Sequence, residues 1–183
     1  MSGLDGLAFR RALGRFASGV TVVTTVADGI DHAMTASAFS SVSLDPPLVQ
    51  VCVQSSNRFH GAVVASGTWA VSILGRDGQG AASWFATRGR PLEHQLDRVG
   101  HHRAALVPAA LVDDGVAWLE CRTWATYPGG DHTILVGEVL AARVGDDSDD
   151  PLLYYHSHYG ALLPSEASEK STPPPRARSA DNG

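Results

Sequence analysis

Apolar and polar positions along this chain change period several times, and each change predicts an element. Phe9, Leu13 and Phe16 recur at spacings of four and three, which places them on one face of a helix over residues 8–17. Gly19 follows as a left-handed terminator, and the helix is expected to lay its apolar face against the rest of the molecule. β-Branched residues then dominate VTVVTTV (20–26), and Asp28-Gly29 reads as a hairpin turn. The return segment HAMTASAFSSVSL (32–44) is crowded with small hydroxyl residues until Asp45-Pro46-Pro47 breaks it. LVQVCV (48–53) then resumes as a strong strand.

Ser55-Ser56-Asn57 supplies N-capping groups for a short helix whose face carries Phe59, Ala62, Val63 and Ser66. TWAVSIL (68–74) is the next strand, and residues 79–87, with Ala81, Ala82, Trp84 and Phe85, predict another short helix. Residues 88–108 hold Arg88, Arg90, Arg98, Arg103 and three histidines without a clean period, which predicts a surface excursion with some helix. VAWLECR (116–122) is a strand before the turn-like Tyr127-Pro128-Gly129-Gly130. HTILVGEVLAARV (132–144) is a long strand with a bulge at Gly137, ended by the acidic run DDSDD. LLYYHSHYGALL (152–163) closes the ordered part.

Six or so strands with short helices between them predict a closed or nearly closed antiparallel barrel, because closure removes exposed strand edges. Residues 1–163 are read as one domain. Residues 164–183, rich in Pro and Ser, lack apolar groups to repay ordering and are expected to be disordered.

Composition narrows the function. Hydrophobic residues make up 44% of the 183, enough for a real core. The formal charge of −5 argues against a broad cationic surface for nucleic acid or anionic membrane, while leaving room for a local patch that holds one phosphorylated ligand. The N-terminal residues lack the long apolar run of a signal peptide or membrane span, so a soluble cytoplasmic protein is expected. Cys52 and Cys121 each sit in an apolar strand and read as buried small hydrophobes, with a thiol nucleophile as the other reading.

Neither GxGxxG after the first strand nor GxxxxGK[ST] is present, which disfavours a Rossmann dinucleotide site and a P-loop. His156-Ser157-His158, if extended, sends its imidazoles to opposite faces and makes a poor metal site, so no metal is expected. Three segments can carry chemistry. In Met34-Thr35-Ala36-Ser37-Ala38-Phe39-Ser40-Ser41, small residues let a ligand approach the backbone; a polar edge strand is the bland alternative. Ser55-Ser56-Asn57 suits either a phosphate or ordinary helix capping, with Arg58 and His60 just beyond. Gly129-Gly130-Asp131-His132-Thr133 can point an imidazole into a ligand mouth, with Asp131 orienting the ring or merely capping the turn.

Taken together with FASGVTVVTT (16–25), DPPLV (45–49), WLEC (118–121) and VGEV (136–139), these segments resemble the flavin-reductase-like family, whose fold is the FMN-binding split β-barrel. The likeness covers roughly residues 9–160 and is specific to the small reductases of two-component flavin monooxygenases. It implies a mainly β, Greek-key-like barrel with short flanking helices, a homodimer, and a flavin groove near the subunit interface. By that resemblance Thr35, Ala36, Ser37 and Ala38 line the isoalloxazine and ribityl chain, and Ser41 lies near the flavin's polar edge. Cys52 and Val53 belong to the strand beside the ring, and Ser55, Ser56 and His60 lie near the phosphate. His132 is the catalytic candidate on the nicotinamide side, approached by Tyr155 and Tyr159. The stretch after Phe85-Ala86, Thr87-Arg88-Gly89-Arg90-Pro91, departs from the family pattern.

The expected activity is hydride transfer from NADH or NADPH to FMN or FAD, with reduced flavin passed to a separate monooxygenase. The same fold also admits an enzyme that keeps its flavin bound and acts on another small molecule, and a flavin-binding barrel without turnover.

Overall fold

The computed structural model describes residues 3–146 and 150–162. The expected tail at 164–183 and the centre of the acidic run lie outside them. Helix α1 (Gly6–Leu13) is N-capped by Asp5, whose carboxylate accepts from the Leu7 N–H at 3.0 Å. It is shorter than predicted: Gly14 ends it in a right-handed conformation, and Gly19 belongs to strand β1 (Ser18–Gly19) instead of capping it. None of its residues is buried, and Leu7, Leu13 and the following Phe16 are exposed. The expectation that its apolar face packs on the rest of the chain is therefore corrected. Periodicity reveals an apolar face but not what covers it, and no element among the described residues does.

Strands β2 (Thr21–Ala27) and β3 (Ile30–Ala36) form the expected hairpin, with both Asp28 and Gly29 at positive φ. Strands β4 (Phe39–Leu44) and β5 (Pro47–Gln54) follow. Asn57 caps α2 (Arg58–Ser66), and Gly67, at φ 67°, ends it in the left-handed form. Strand β6 (Thr68–Leu74) and α3 (Gln79–Ala86) sit where the pattern put them.

The segment after α3 contains turns and the strand pair β7 (His101–Arg103) with β8 (Ala110–Val112), but no helix. It is not a surface excursion either, since Leu96, Val107 and Gln95 are buried. Long-range polar contacts hold it. Gln95 donates to the Asp31 carbonyl, and the Glu120 carboxylate accepts the N–H groups of Ala105, Leu106 and Val107 at 2.6–3.2 Å. Contacts of that kind leave no period in the sequence.

Strand β9 (Gly115–Gly129) runs through Tyr127-Pro128, so the turn is confined to Gly130-Asp131 before β10 (His132–Val144). The register slips between Val136 and Gly137, which is the predicted bulge. A Cβ at Gly137 would collide with the Trp69 indole. Strands β11 (Leu153–Tyr155) and β12 (His158–Gly160) form a hairpin that pairs with β1. Its turn holds His156 and Ser157 at positive φ, so the two imidazoles of this segment lie 6.5 Å apart.

Seven strands build one antiparallel sheet in the order β3-β2-β6-β9-β10-β5-β4. A single core cluster takes Met34 and Ala36 from one end of that sheet, and Val49, Val51 and Val53 from near the other. Residues from both ends can share a core only if the sheet curls round into a barrel. The Cys52 N–H donates to the Ala38 carbonyl at 3.0 Å, tying the β3–β4 connection back onto β5.

Candidate active site

The site follows from the alternation of β5. Val49, Val51 and Val53 face the barrel interior, so Gln50, Cys52 and Gln54 face outward. Register pairs these with Val136, Ile134 and His132 of β10, which share that outer face. Gln50 also reaches Ser40 of β4, its Nε2 lying 3.1 Å from the Ser40 Oγ.

A pocket of about 740 Å³ opens over Gln50 and Cys52. Ser37 and Ala38, at the bend between β3 and β4, form one wall; Leu13 at the end of α1 and Phe16 after it, with Tyr154 of β11, form another. Its volume is in the range of pockets that hold cofactor-sized ligands. A second cleft, of about 340 Å³, begins at Gln54 and runs between Ser56–Arg58 and Phe85–Arg90. Cys52 and Gln54 are one two-residue step apart, about 7 Å along the strand. The two cavities thus lie in line along one strand face.

His132 stands at the start of β10, after Gly130 at φ 72°. Its Nδ1 lies 2.7 Å from Asp131 Oδ1. That hydrogen bond, with the imidazole's charge, holds the Asp131 carboxyl below its ordinary value. The Asp131 carbonyl accepts the Ser55 N–H at 2.9 Å, which fixes the hairpin tip beside the loop before α2.

The sequence-chosen residues separate into two groups. Ser37, Ala38 and Cys52 line the large pocket, Ser56 lines the cleft, and His132 shares their face. The others point elsewhere. Ala36 and Val53 are buried in the core. The Thr35 hydroxyl donates to the Ala82 carbonyl at 2.7 Å, and His60 Nε2 lies 2.8 Å from Thr133 Oγ1. Ser55 is exposed and touches the site through its backbone, and Ser41 is exposed opposite Val49. Tyr155 is half-exposed against His156. Tyr159 packs 5.4 Å from Tyr154, and burial raises its phenol pKa against a hydrogen bond with Ser83.

Sequence reasoning placed Arg58 beside the candidate phosphate segment but missed Gln50, Tyr154, Phe16 and Arg88 as lining residues. Strand alternation from Cys52 would have found Gln50. Parity alone could not rank Tyr154 above Tyr155, because the packing of β11 was not legible.

Chemically, the arrangement offers a largely apolar pocket with a cleft carrying hydroxyls and guanidiniums in line with it along β5. Among the described residues no group of three or more His, Cys, Asp or Glu side chains is placed to hold a metal. Buried Cys121 is a free thiol pushed up to about 12 by burial and by Glu120, which leaves it unreactive. A pocket of this kind binds and orients a cofactor that carries the chemistry itself.

A family model for the flavin reductase like domain matches residues 13–163. The chain belongs to the flavin reductase like family. The reductase component of a 4-hydroxyphenylacetate 3-monooxygenase from Thermus thermophilus is 41% identical over 157 residues, covering 85% of this chain and 96% of that one. Among solved structures, the flavin reductase component of a bacterial two-component tryptophan halogenase superposes with a TM-score of 0.81 at 43% identity, covering 86% of this chain and 98% of that chain. The NADH:FAD oxidoreductase of Streptomyces globisporus, solved with NAD and FAD fragments, gives 0.84 at 36% identity, covering 89% and 96%. In this flavin reductase like chain the small side chains of Ser37 and Ala38 leave one wall of the large pocket open, and the smaller cleft beside it is lined by Ser56, Arg58, Arg88 and Arg90. Among the described residues, no helix is long and apolar enough to cross a membrane.

Proposed function

We propose that this protein is an NAD(P)H-dependent flavin reductase that transfers hydride from NADH or NADPH to FMN or FAD and supplies reduced flavin to a separate monooxygenase. The observation that carries the proposal is the alignment of the apolar pocket and the cationic cleft along the outer face of β5, in a chain of this family. A bound flavin supplies the electron-accepting ring. Ser37 and Ala38 admit it against the backbone, Cys52 and Gln50 floor the slot, and Leu13, Phe16 and Tyr154 exclude water. Ser56 holds the phosphate end. His132, oriented by Asp131, positions the nicotinamide. The reaction balances as reduced nicotinamide, flavin and a proton giving oxidised nicotinamide and reduced flavin.

A homodimer belongs to the same proposal, supported by the exposed apolar side chains Leu7, Phe9, Leu13 and Phe16 beside the pocket. So do a cytoplasmic setting, where reduced nicotinamide is available, and a reductase domain spanning residues 1–163, supported by the family match ending there.

The test follows the near-ultraviolet absorbance of NADH, then NADPH, with FMN, FAD or no added flavin. Oxidation that depends on free flavin supports the reductase. A folded protein that oxidises neither nicotinamide with either flavin refutes it. Sedimentation of the same preparation tests the dimer.

A further inference from the structure

The wall of the large pocket built by α1 and the β11–β12 hairpin carries polar groups to which the flavin gives no role. Arg10 of α1 lines it, with His156 and Ser157 at the hairpin tip. Gly14 joins the two elements. Its N–H donates to the Arg10 carbonyl at 2.9 Å, and its own carbonyl accepts the His156 N–H at 2.9 Å. A Cβ at Gly14 would stand 3.9 Å from His156 Cα, so the hairpin tip rests against the helix end one turn beyond Arg10.

Two further observations point to a ligand here. The tip residues His156 and Ser157 stand at φ 52° and 67°, a left-handed pair of positions that glycine and asparagine ordinarily fill. Such a conformation costs stability in other residues and persists where the backbone it builds is put to use. The charge of the wall is also open. Arg10 makes no ion pair among the described residues, and no carboxylate lines the pocket. The helix C-terminal dipole favours a base at Arg10 and equally at Arg11, yet Arg10 lines the pocket and Arg11 does not.

We infer that Arg10, assisted by His156 and Ser157, holds a phosphate of the nicotinamide dinucleotide and thereby sets the affinity for the hydride donor. The inference rests on the proposed reductase reading, in which the flavin ring lies over Cys52 and its phosphate at Ser56. Those contacts leave the guanidinium on the α1 side without a partner. The hydride donor is the second anionic ligand that must enter the same pocket to reach the ring. A guanidinium and a phosphate oxygen form a charge-assisted hydrogen bond, often a bidentate one. NADH offers a diphosphate and NADPH a 2′-phosphate as well, so the measurement uses both.

KM and kcat for NADH and NADPH are measured on the full-length protein at saturating flavin, and NADH binding is followed by its own fluorescence. Arg10→Ala is expected to raise the nicotinamide KM about tenfold, with little change in kcat or in flavin Kd. Arg10→Lys should recover part of the loss, and Arg11→Ala should behave as wild type. Added salt should raise the KM of wild type more steeply than that of Arg10→Ala. A loss shared by NADH and NADPH assigns the contact to the diphosphate, and one confined to NADPH assigns it to the 2′-phosphate. Unchanged KM values for both overturn the inference. So does an Arg10→Ala variant whose flavin Kd moves instead, or an equal loss in Arg11→Ala. If wild type oxidises neither nicotinamide yet binds NADH about tenfold more tightly than Arg10→Ala, the reductase reading fails and the Arg10 contact stands.

Discussion

His132 Nδ1 sits 2.7 Å from Asp131 Oδ1 at the tip of the β9–β10 hairpin, on the same strand face as Gln54 and Cys52. A glycine at positive φ immediately before Asp131 makes the tight turn that aims this pair. Because the pair is solvent-accessible and His132 is paired with Gln54, it stands on the outer face of the sheet and not in the barrel core.

Replacing the imidazole should therefore harm nicotinamide use more than flavin binding. His132→Ala is expected to lower kcat/KM for the reduced nicotinamide by about 10- to 100-fold, the scale of a misplaced reactant. Flavin Kd, read by fluorescence, should move by less than the nicotinamide KM. Equal losses in both would remove the positioning role.

The hydrogen bond has a pH signature. The partner imidazole lowers the Asp131 carboxyl pKa from 3.8, so the contact is fully present above the ordinary carboxylate range and is lost as pH falls through the lowered value. Carbon NMR of the Asp131 carboxyl should show a midpoint below 3.8 in wild type and a rise toward that value in His132→Ala. The carboxylate is exposed, so little change in global stability should accompany the titration.

Thr35 is a structural residue beside the site. Its hydroxyl holds the Ala82 carbonyl of α3, and Thr35→Val leaves that acceptor without its donor. A loss of about 1 kcal/mol is expected in urea unfolding. If Thr35 instead contacts flavin directly, the larger change will appear in flavin affinity.

Gly137 makes room for Trp69, whose ring fills the space a side chain would take. Gly137→Ala should cost about 1–3 kcal/mol through overpacking, seen as a lowered Tm. The same change at Gly61, an exposed helical position where a Cβ meets nothing, should be neutral or stabilising. A Tm loss at Gly61 matching that at Gly137 would dismiss the packing explanation.

Much of the fold is legible because local chemistry decides it. Asp28-Gly29 makes a hairpin turn through positive φ, Asn57 caps α2 with its side-chain oxygen, and the β-branched runs become strands. Of the small residues at 35–38, Ser37 and Ala38 line the large pocket, where bulk would narrow it. Side-chain direction is different. Val53 enters the core while Cys52 and Gln54 line the outer pocket and cleft, and Tyr154 lines the pocket while Tyr155 does not. A single residue of register exchanges those faces, and register comes from pairing with distant strands. Arg90 turns inward and Arg88 stays outside because acceptors on β3 and Gln95 arrive from elsewhere in the chain. The sequence alone determined the elements and the segments that carry chemistry. Tertiary pairing decided which side chains of those segments line the pocket and cleft, because only a distant strand sets which face looks inward.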